Sequence, residues 1–569
     1  MFKVNNYIQQ SLFNKYEQLP GYLKDKIYKS WAQIFRDKVF PLINESRFSI
    51  LYSEKASRPN SPVNVLVGLL IIKEMMGLTD EELVGSIHFD FRYQYALCTE
   101  NLESQPISDN SFTNFRNRLY AYEKETGIDI LKEEVENISN QFTDYLEIDG
   151  TKLRMDSLMV SSNCKKMTRL ELVYTVINNF IKELSKKDET LIPEEYKVYL
   201  KTSHKKEFIY QVKSEEVDSK LSILLKQAYE LYQYGINNET INNLESFNLL
   251  VRLITEQFNF KADGSTEIKT GKEISPDSIQ SPSDPDATFR KKYKNNVGFV
   301  ANVVEAYDDT DEKNTKAIIT NYDFKPNTHS DIDFGRDVIS QIIEEKSTNP
   351  NDEITELDVD GAYFDQDLVD QALDNKIEMI FTNLVGNKPN PDKLSPTDFK
   401  LDEEKNIIVE CPNGIAPIRS DFSNGVHSAH MDKGKCENCP FFEICLIKRQ
   451  KKDNVVRFSE KTYKTEQVRK DMSTDEYKMK ANARAGIEGV PSALRRKYNV
   501  DHMPIRGLLR SKLHFGFKIL ALNVKRLQKG LEHMEKTTMN SSLITKNQVK
   551  VFQFMKTHKF LSFKLNLVV

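Results

Sequence analysis

Between Val297 and Asn383 the sequence alternates between strand-like and helix-like spacing, and this alternation narrows the fold more than any other feature. VGFVANVVEAYD and TKAIITNYDF read as two strands of a hairpin. DIDFGRDVISQIIEEKS then carries helical spacing, EITELDVDGAYF reads as a strand ending at Asp360, DLVDQALDNK as a helix and IEMIFTN as a further strand. Strands and helices in this order predict a mixed α/β domain whose ligand belongs at the carboxyl ends of the strands. Upstream, LEIDGTKLRMDSLMVSSN is short, alternating and β-compatible, with Asp156 in its middle.

The flanking regions follow another period. Residues 20–145 read as short helices: VNVLVGLLIIKEMMG, DEELVGSIHFDFRYQYAL and DNSFTNFRNRLYAYEKETG have helical spacing, with Asp80, Ser108 and Asp109 as starts. Such a bundle could hold a helix-turn-helix reader, or serve packing and dimerisation. Met167–Phe260 is expected to be a long helical stretch, and KADGSTEIKTGKEISPDSIQSPSDPDAT an irregular polar loop. The longest strongly apolar run, Val63–Ile72, stops at Lys73, far short of the roughly 20 residues a spanning helix needs. The N-terminus lacks the apolar core of a secretory signal, so a cytoplasmic protein is expected.

Net charge is −4, yet the charge is divided. Met431–Val569 holds 30 Lys and Arg against 13 Asp and Glu, so of the totals of 80 and 84 only 50 basic but 71 acidic residues precede it. An acidic body with a basic C-terminal quarter points to a polyanionic partner. In residues 491–569, 16 basic residues face 3 acidic ones. LRRKYNVD and RGLLRSKLHFGFK interleave cations with apolar and aromatic residues, which suits helices that pack one face and lay the other along phosphates. Arg484, Arg495, Arg496, Lys497, Arg506, Arg510 and Lys512 are the candidate DNA contacts, and ATFRKKYK is a second basic segment.

Four of the six cysteines, Cys411, Cys436, Cys439 and Cys445, cluster in VECPNG and KGKCENCPFFEICL. Four thiolates on one tetrahedral ion would make a structural zinc site that folds an otherwise coreless loop. An iron–sulfur cluster and free thiols are the alternatives, and His427 and His430 are alternative ligands. Cys98 and Cys164 read as buried apolar residues.

Asp156 lies between apolar Met155 and Leu158, where a buried carboxylate is costly without a cation. Asp360 ends its strand before Gly361-Ala362-Tyr363, and Asp358 would share its face. In KMKANARAGIEGVPSALRRKYNVD, Arg484 and Glu488 are four apart and would share a helix face, to which Arg495 returns. Two glycines and Pro491 make that helix a poor one.

These residues resemble the DDE transposases of bacterial insertion sequences. The resemblance runs from about Arg58 to Leu527. It is carried by SRPNSPVNVLVGLLIIKEMMGLTDEELV, LRMDSLMVSSN with MTRLELVYTVI, SPSDPDATFRKKYKNNVGFVANVVEAYDD, DVDGAYF and, most specifically, RAGIEGVPSALRRKYNVDHMPIRGLLRSKLHFGFKILALNVKRL. The family motif around the third acid runs Tyr, two residues, Arg, three residues, Glu, six residues, Lys. Arg484 and Glu488 match it, Arg495 stands for the Lys, and Ala481 departs at the Tyr position. Arg for Lys keeps the cation but changes its geometry.

The resemblance implies a ribonuclease H-like catalytic domain over 146–530, with a helical insertion at 165–260 and a cysteine-rich insertion at 395–455. It also implies an N-terminal helical domain at 1–145 that binds DNA ends, and a basic tail at 531–569. Asp156, Asp360 and Glu488 become the catalytic acids, holding two Mg2+ or Mn2+ ions, with Asp156 bridging both. The implied activity is cleavage at terminal inverted repeats and strand transfer into target DNA, by a homodimer or larger synaptic assembly on the nucleoid. A nuclease without strand transfer, or a retired zinc-containing regulator, shares the same motifs.

Overall fold

The computed structural model describes residues 2–5, 15–53, 55, 59–100, 107–292, 294–308, 310, 316–348, 354–384, 389–402 and 404–565, with the side chains of 109, 348 and 538–565 left out. Arg58, where the resemblance begins, lies outside them, as does most of the side-chain detail of the 531–569 tail.

The most apolar run of the chain lies in helix α1 (Val63–Met76), in which every residue from Val63 to Ile72 is buried. A helix apolar on all sides must be enclosed by others. Around it stand α2 (Asp109–Thr126), whose Ser108 and Ser111 form a capping box, and α3 (Ile130–Tyr145), capped by the Asp129 carboxylate. The helix beginning at Asp80 is capped one residue earlier, by Thr79.

The expected helical stretch after residue 167 is a set of three main helices, α4 (Arg169–Lys187), α5 (Val217–Ile236) and α6 (Glu245–Gln257), separated by short 3-10 and π turns. They enclose a hydrophobic cluster of their own, with Phe180, Leu224, Phe247 and Leu253 fully buried. The helical reading overruns at its end: Phe258–Phe260 is extended and pairs antiparallel with Thr266–Ile268. Phe-Asn-Phe is a β-compatible triplet, and Lys261–Ser265 closes a turn behind it.

The strands expected from the alternation form one sheet. Strand β1 (Lys152–Ser161) is followed by β2 (Thr288–Lys291), β3 (Asn295–Tyr307), β4 (Ala317–Pro326), β5 (Glu356–Val359) and β6 (Glu378–Phe381). β1 lies between β3, to which it is antiparallel with Asp156 opposite Val303, and β5, to which it is parallel. β6 extends the sheet in parallel beyond β5, while β4 and the short β2 share the other edge of β3. β2 was not expected; TFRK belongs to the polar loop by composition and becomes a strand by hairpin pairing with Asn295–Gly298. Helices α7 (Asp331–Thr348) and α8 (Gln366–Asp374) connect β4 to β5 and β5 to β6.

After α9 (Gly489–Arg496), helix α10 (Leu508–Leu565) ties the N-terminal helices to the sheet. Phe515 is fully buried against Tyr322 and Phe324, and burying such a side chain contributes about 1.5–3 kcal/mol. Asn523 bonds both the N–H and the carbonyl of Ile319, at 3.1 and 2.7 Å, and the Ser139 hydroxyl at 3.0 Å. The polar loop is also anchored: Asp284 accepts the Ser162 hydroxyl and the Gly507 N–H, and Asp286 accepts the Leu508 N–H, capping α10. Among the described residues no helix is long and apolar enough to cross a membrane.

The cysteine segment is not coreless. Phe399, Ile408, Met431, Val456 and Phe458 form a small buried cluster, and the alternating VHSAHM and NVVRFS pair in a four-stranded antiparallel sheet.

Candidate active site

Parallel pairing of β1 and β5 sets Arg154 beside Asp358, and the same register carried two residues further sets Asp156 beside Asp360. Asp360 is the first residue past β5 and accepts the Gly361 N–H at 2.7 Å, capping a 3-10 turn. Only glycine fits next, because a Cβ on residue 361 would stand 2.2 Å from the Asn383 carbonyl oxygen. Asp156 accepts the Ser157 N–H at 2.9 Å. Burial pushes its carboxyl up to about 6, and the charges of Asp360 and Asp331 add to that; Arg484 and the Ser157 N–H oppose it. Asp358, the alternative on the same face, is fully buried and accepts the Tyr307 hydroxyl at 2.6 Å.

The third acid arrives on a turn. Arg484–Glu488 is a 3-10 turn leading into α9, in keeping with the poor helix expected from its glycines. The Arg484 side chain is 8% exposed, with Nη2 3.4 Å from Asp156 Oδ1 and Nη1 3.6 Å from Glu488 Oε1. Glu488 is 67% exposed. One buried guanidinium therefore stands between the first and third acids. Arg495 does not return to Glu488: its Nε lies 3.2 Å from Asp501 and its Nη2 donates to the Met159 carbonyl at 2.9 Å, at the far end of β1. Among the described residues no three His, Cys, Asp or Glu side chains form a group that could hold a metal ion as they stand.

Two protein-family models match the chain: a transposase DDE domain over residues 410–528 and a transposase domain (DUF772) over residues 24–118. The chain belongs to the DDE transposases of the insertion-sequence type. The first match contains Arg484, Glu488 and the four clustered cysteines, and the second covers the N-terminal helices; Asp156 and Asp360 lie outside both. No curated protein and no solved structure matches.

In the transposase the four cysteines line one small cavity of about 20 Å³. Cys411 opens a Pro-Asn-Gly turn closed by the Gly414 N–H on its carbonyl, and the Cys439 N–H bonds the Cys436 carbonyl in a second turn. Burial and the neighbouring thiols push the Cys436 and Cys445 thiols up. His427 and His430 sit elsewhere: the first is buried against Phe422 and Phe458 with Nδ1 3.0 Å from the Asn406 carbonyl, the second has Nδ1 2.7 Å from Asp453. Cys98 and Cys164 are half-buried rather than enclosed.

The candidate DNA contacts divide. Arg496 and Lys497 are exposed, Arg506 donates to the Asn163 carbonyl at 2.7 Å, and Arg510 lies over the Tyr120 ring at 4.7 Å. Lys512 is a correction: it is largely buried, with Nζ 2.9 Å from Glu123 and 2.8 Å from Asp129, so its charge is spent joining α10 to the helices before β1. The basic run places it on α10, but α10 turns that face inward.

Sequence reasoning missed Asp331. Its Oδ1 accepts the Ser157 hydroxyl at 2.6 Å, and its Oδ2 is 3.7 and 3.9 Å from Arg290 and Lys292. An acid in the first turn of a helix is ordinary, so nothing in the sequence sets it apart. Arg154 was also missed, although its place two residues before Asp156 puts both on one strand face.

Proposed function

We propose that this transposase cuts DNA at the terminal inverted repeats of its own element and joins the freed 3′ end to target DNA, using Asp156, Asp360 and Glu488 as its catalytic acids. The observation that carries the reading is the parallel register that seats Asp156 beside Asp360, with Arg484 holding the Glu488 turn against them. Three carboxylates with no His or Cys among them form a donor set suited to magnesium or manganese. Two such ions, held by these acids, would supply charge stabilisation to the attacking and leaving oxygens at phosphorus.

The chain's own residues prepare that site. Burial of Asp156 next to Asp360 and Asp331 leaves a surplus of negative charge that Arg484 alone opposes at Asp156. Ser157 fixes Asp331 through its hydroxyl and Asp156 through its N–H. Arg290 and Lys292, on and just after β2, stand beside the acids as candidate phosphate contacts.

We read the sheet as ribonuclease H-like, supported by three antiparallel strands, β1, β3 and β4, continued by parallel β5 and β6 with helices between. The convergence of four cysteines on one cavity supports a structural zinc site, and the N-terminal helices are the proposed reader of DNA ends, in a dimer or larger synapse. Glu488→Gln tests the assignment: Mg2+-dependent cleavage of a terminal-repeat duplex is lost while binding of that duplex persists. Cleavage at the wild-type rate by Glu488→Gln overturns it.

A further inference from the structure

On the side of the Glu488 turn away from Asp156 lies a cleft of about 410 Å³. Gly486, Gly489, Ala493 and Lys497 line it from one stripe of the turn and α9, spaced three to four residues apart, whereas Arg484 and Glu488 are on the stripe that faces the acids. The opposite wall comes from α10 and includes Lys525, Arg526 and Lys529. Four cations therefore line this space, and no acid does.

Only one of the four is neutralised. Arg526 donates to Glu305 at 2.7 Å, which fixes its guanidinium at the base of the cleft. Lys497, Lys525 and Lys529 make no ion pair among those of the described residues. Burial, with the charge of Lys497, pushes the Lys525 ammonium down. The nearby Glu74 is engaged by Lys518 at 2.5 Å and is not free to compensate them. Glycine keeps the wall low: a Cβ added at Gly489 would meet nothing within 4 Å. Gly486 is glycine for a different reason, since a Cβ there would fall 2.1 Å from the Arg154 guanidinium. Like charges gathered in a concave, glycine-walled space are a poor arrangement for an empty surface and a good one for a polyanion.

We propose that this cleft binds a backbone phosphate of the DNA substrate other than the one being cut, so that the DNA straddles the Glu488 turn. The inference rests on the DNA-processing reading above and adds a site to it. Lys525, Lys529 and Lys497 supply the charge, and Arg526, anchored by Glu305, supplies a fixed donor. Engagement there would press the turn toward Asp156 from behind, coupling DNA binding to the position of the third acid.

The test uses the full-length chain carrying Lys525→Gln and Lys529→Gln together, which keeps the apolar stems in outline and removes two charges. Binding to a duplex is followed by fluorescence anisotropy as salt is raised, with the melting temperature as a check on folding. The expected result is affinity reduced by roughly tenfold at 0.1 M salt, and a log–log salt slope shallower by about 2, one for each lost phosphate contact. A folded double variant with wild-type affinity and slope overturns the cleft while leaving the transposase reading intact. If the wild-type chain binds no duplex at all, both fail. Inorganic phosphate, compared with chloride at equal ionic strength, separates the sources of the anion. If phosphate stabilises the wild type while the variant's DNA binding is unchanged, the site takes free phosphate and the DNA assignment is wrong.

Discussion

Arg154 and Asp156 project from the same face of β1, and each meets an arginine–carboxylate arrangement, but the two arrangements are built differently. Arg154 is 2% exposed; its Nε and Nη2 each lie 3.3 Å from a Glu305 oxygen, its Nη1 donates to the Ala483 carbonyl at 2.6 Å, and its guanidinium lies 4.5 Å from the centre of the Tyr307 ring. Arg526 meets the same Glu305 from α10. Every charge in this set has a partner, and the set holds the start of the Glu488 turn to the sheet. At Asp156, by contrast, one guanidinium at 3.4 Å faces a carboxylate that already has Asp360 and Asp331 for neighbours. The first cluster is closed and structural. The second carries uncompensated negative charge, which is what a site for cations and phosphate requires.

Disrupting the closed cluster should have the largest effect on stability. Glu305→Gln leaves the buried Arg154 without a counter-charge and should cost about 3–5 kcal/mol in urea unfolding; a loss below about 1 kcal/mol would show that the cluster is not structural. Glu136 sharpens the comparison, being a strained carboxyl away from the acids. It lines a separate cleft with Asp144, Asp149 and Glu345, and burial, opposed by Lys132, pushes it up to about 7. A raised carboxyl pKa means that its stabilising neutral form is fully present below about 4.5 and is lost as pH rises through about 7. Glu136→Gln should therefore gain about 1–2 kcal/mol at pH 8 relative to wild type, gain little at pH 4, and leave cleavage unchanged. Loss of cleavage would mean that this strain, too, serves function. The smallest expected change is at Arg495, which is partly exposed against Asp501. Arg495→Ala should alter stability by less than about 1 kcal/mol while weakening DNA binding by a few-fold.

The strand and helix pattern was legible because each element obeys its own period: β1, the β3–β4 hairpin, α7, β5, α8 and β6 all stand where the spacing places them. β2 and the strand at Phe258 were not, since both depend on a partner across a turn rather than on their own residues. At the site, Asp156 and Asp360 could be picked out from strand context, but their adjacency depends on register, which no local pattern encodes. Asp331 was hidden by an innocent position at a helix start, and the cationic cleft by the distance in sequence between Gly486 and Lys529. Lys512 failed for the complementary reason: composition counts charges but not the direction they face.

The contrast between the closed and open clusters is tested most directly by Asp156→Asn, measured for both Mg2+-dependent cleavage of a terminal-repeat duplex and unfolding free energy. Loss of cleavage by at least about a thousandfold, with stability equal to or above that of wild type, is the predicted result. Cleavage within tenfold of wild type, or a stability loss as large as that of Glu305→Gln, would contradict the assignment of Asp156 as a catalytic acid.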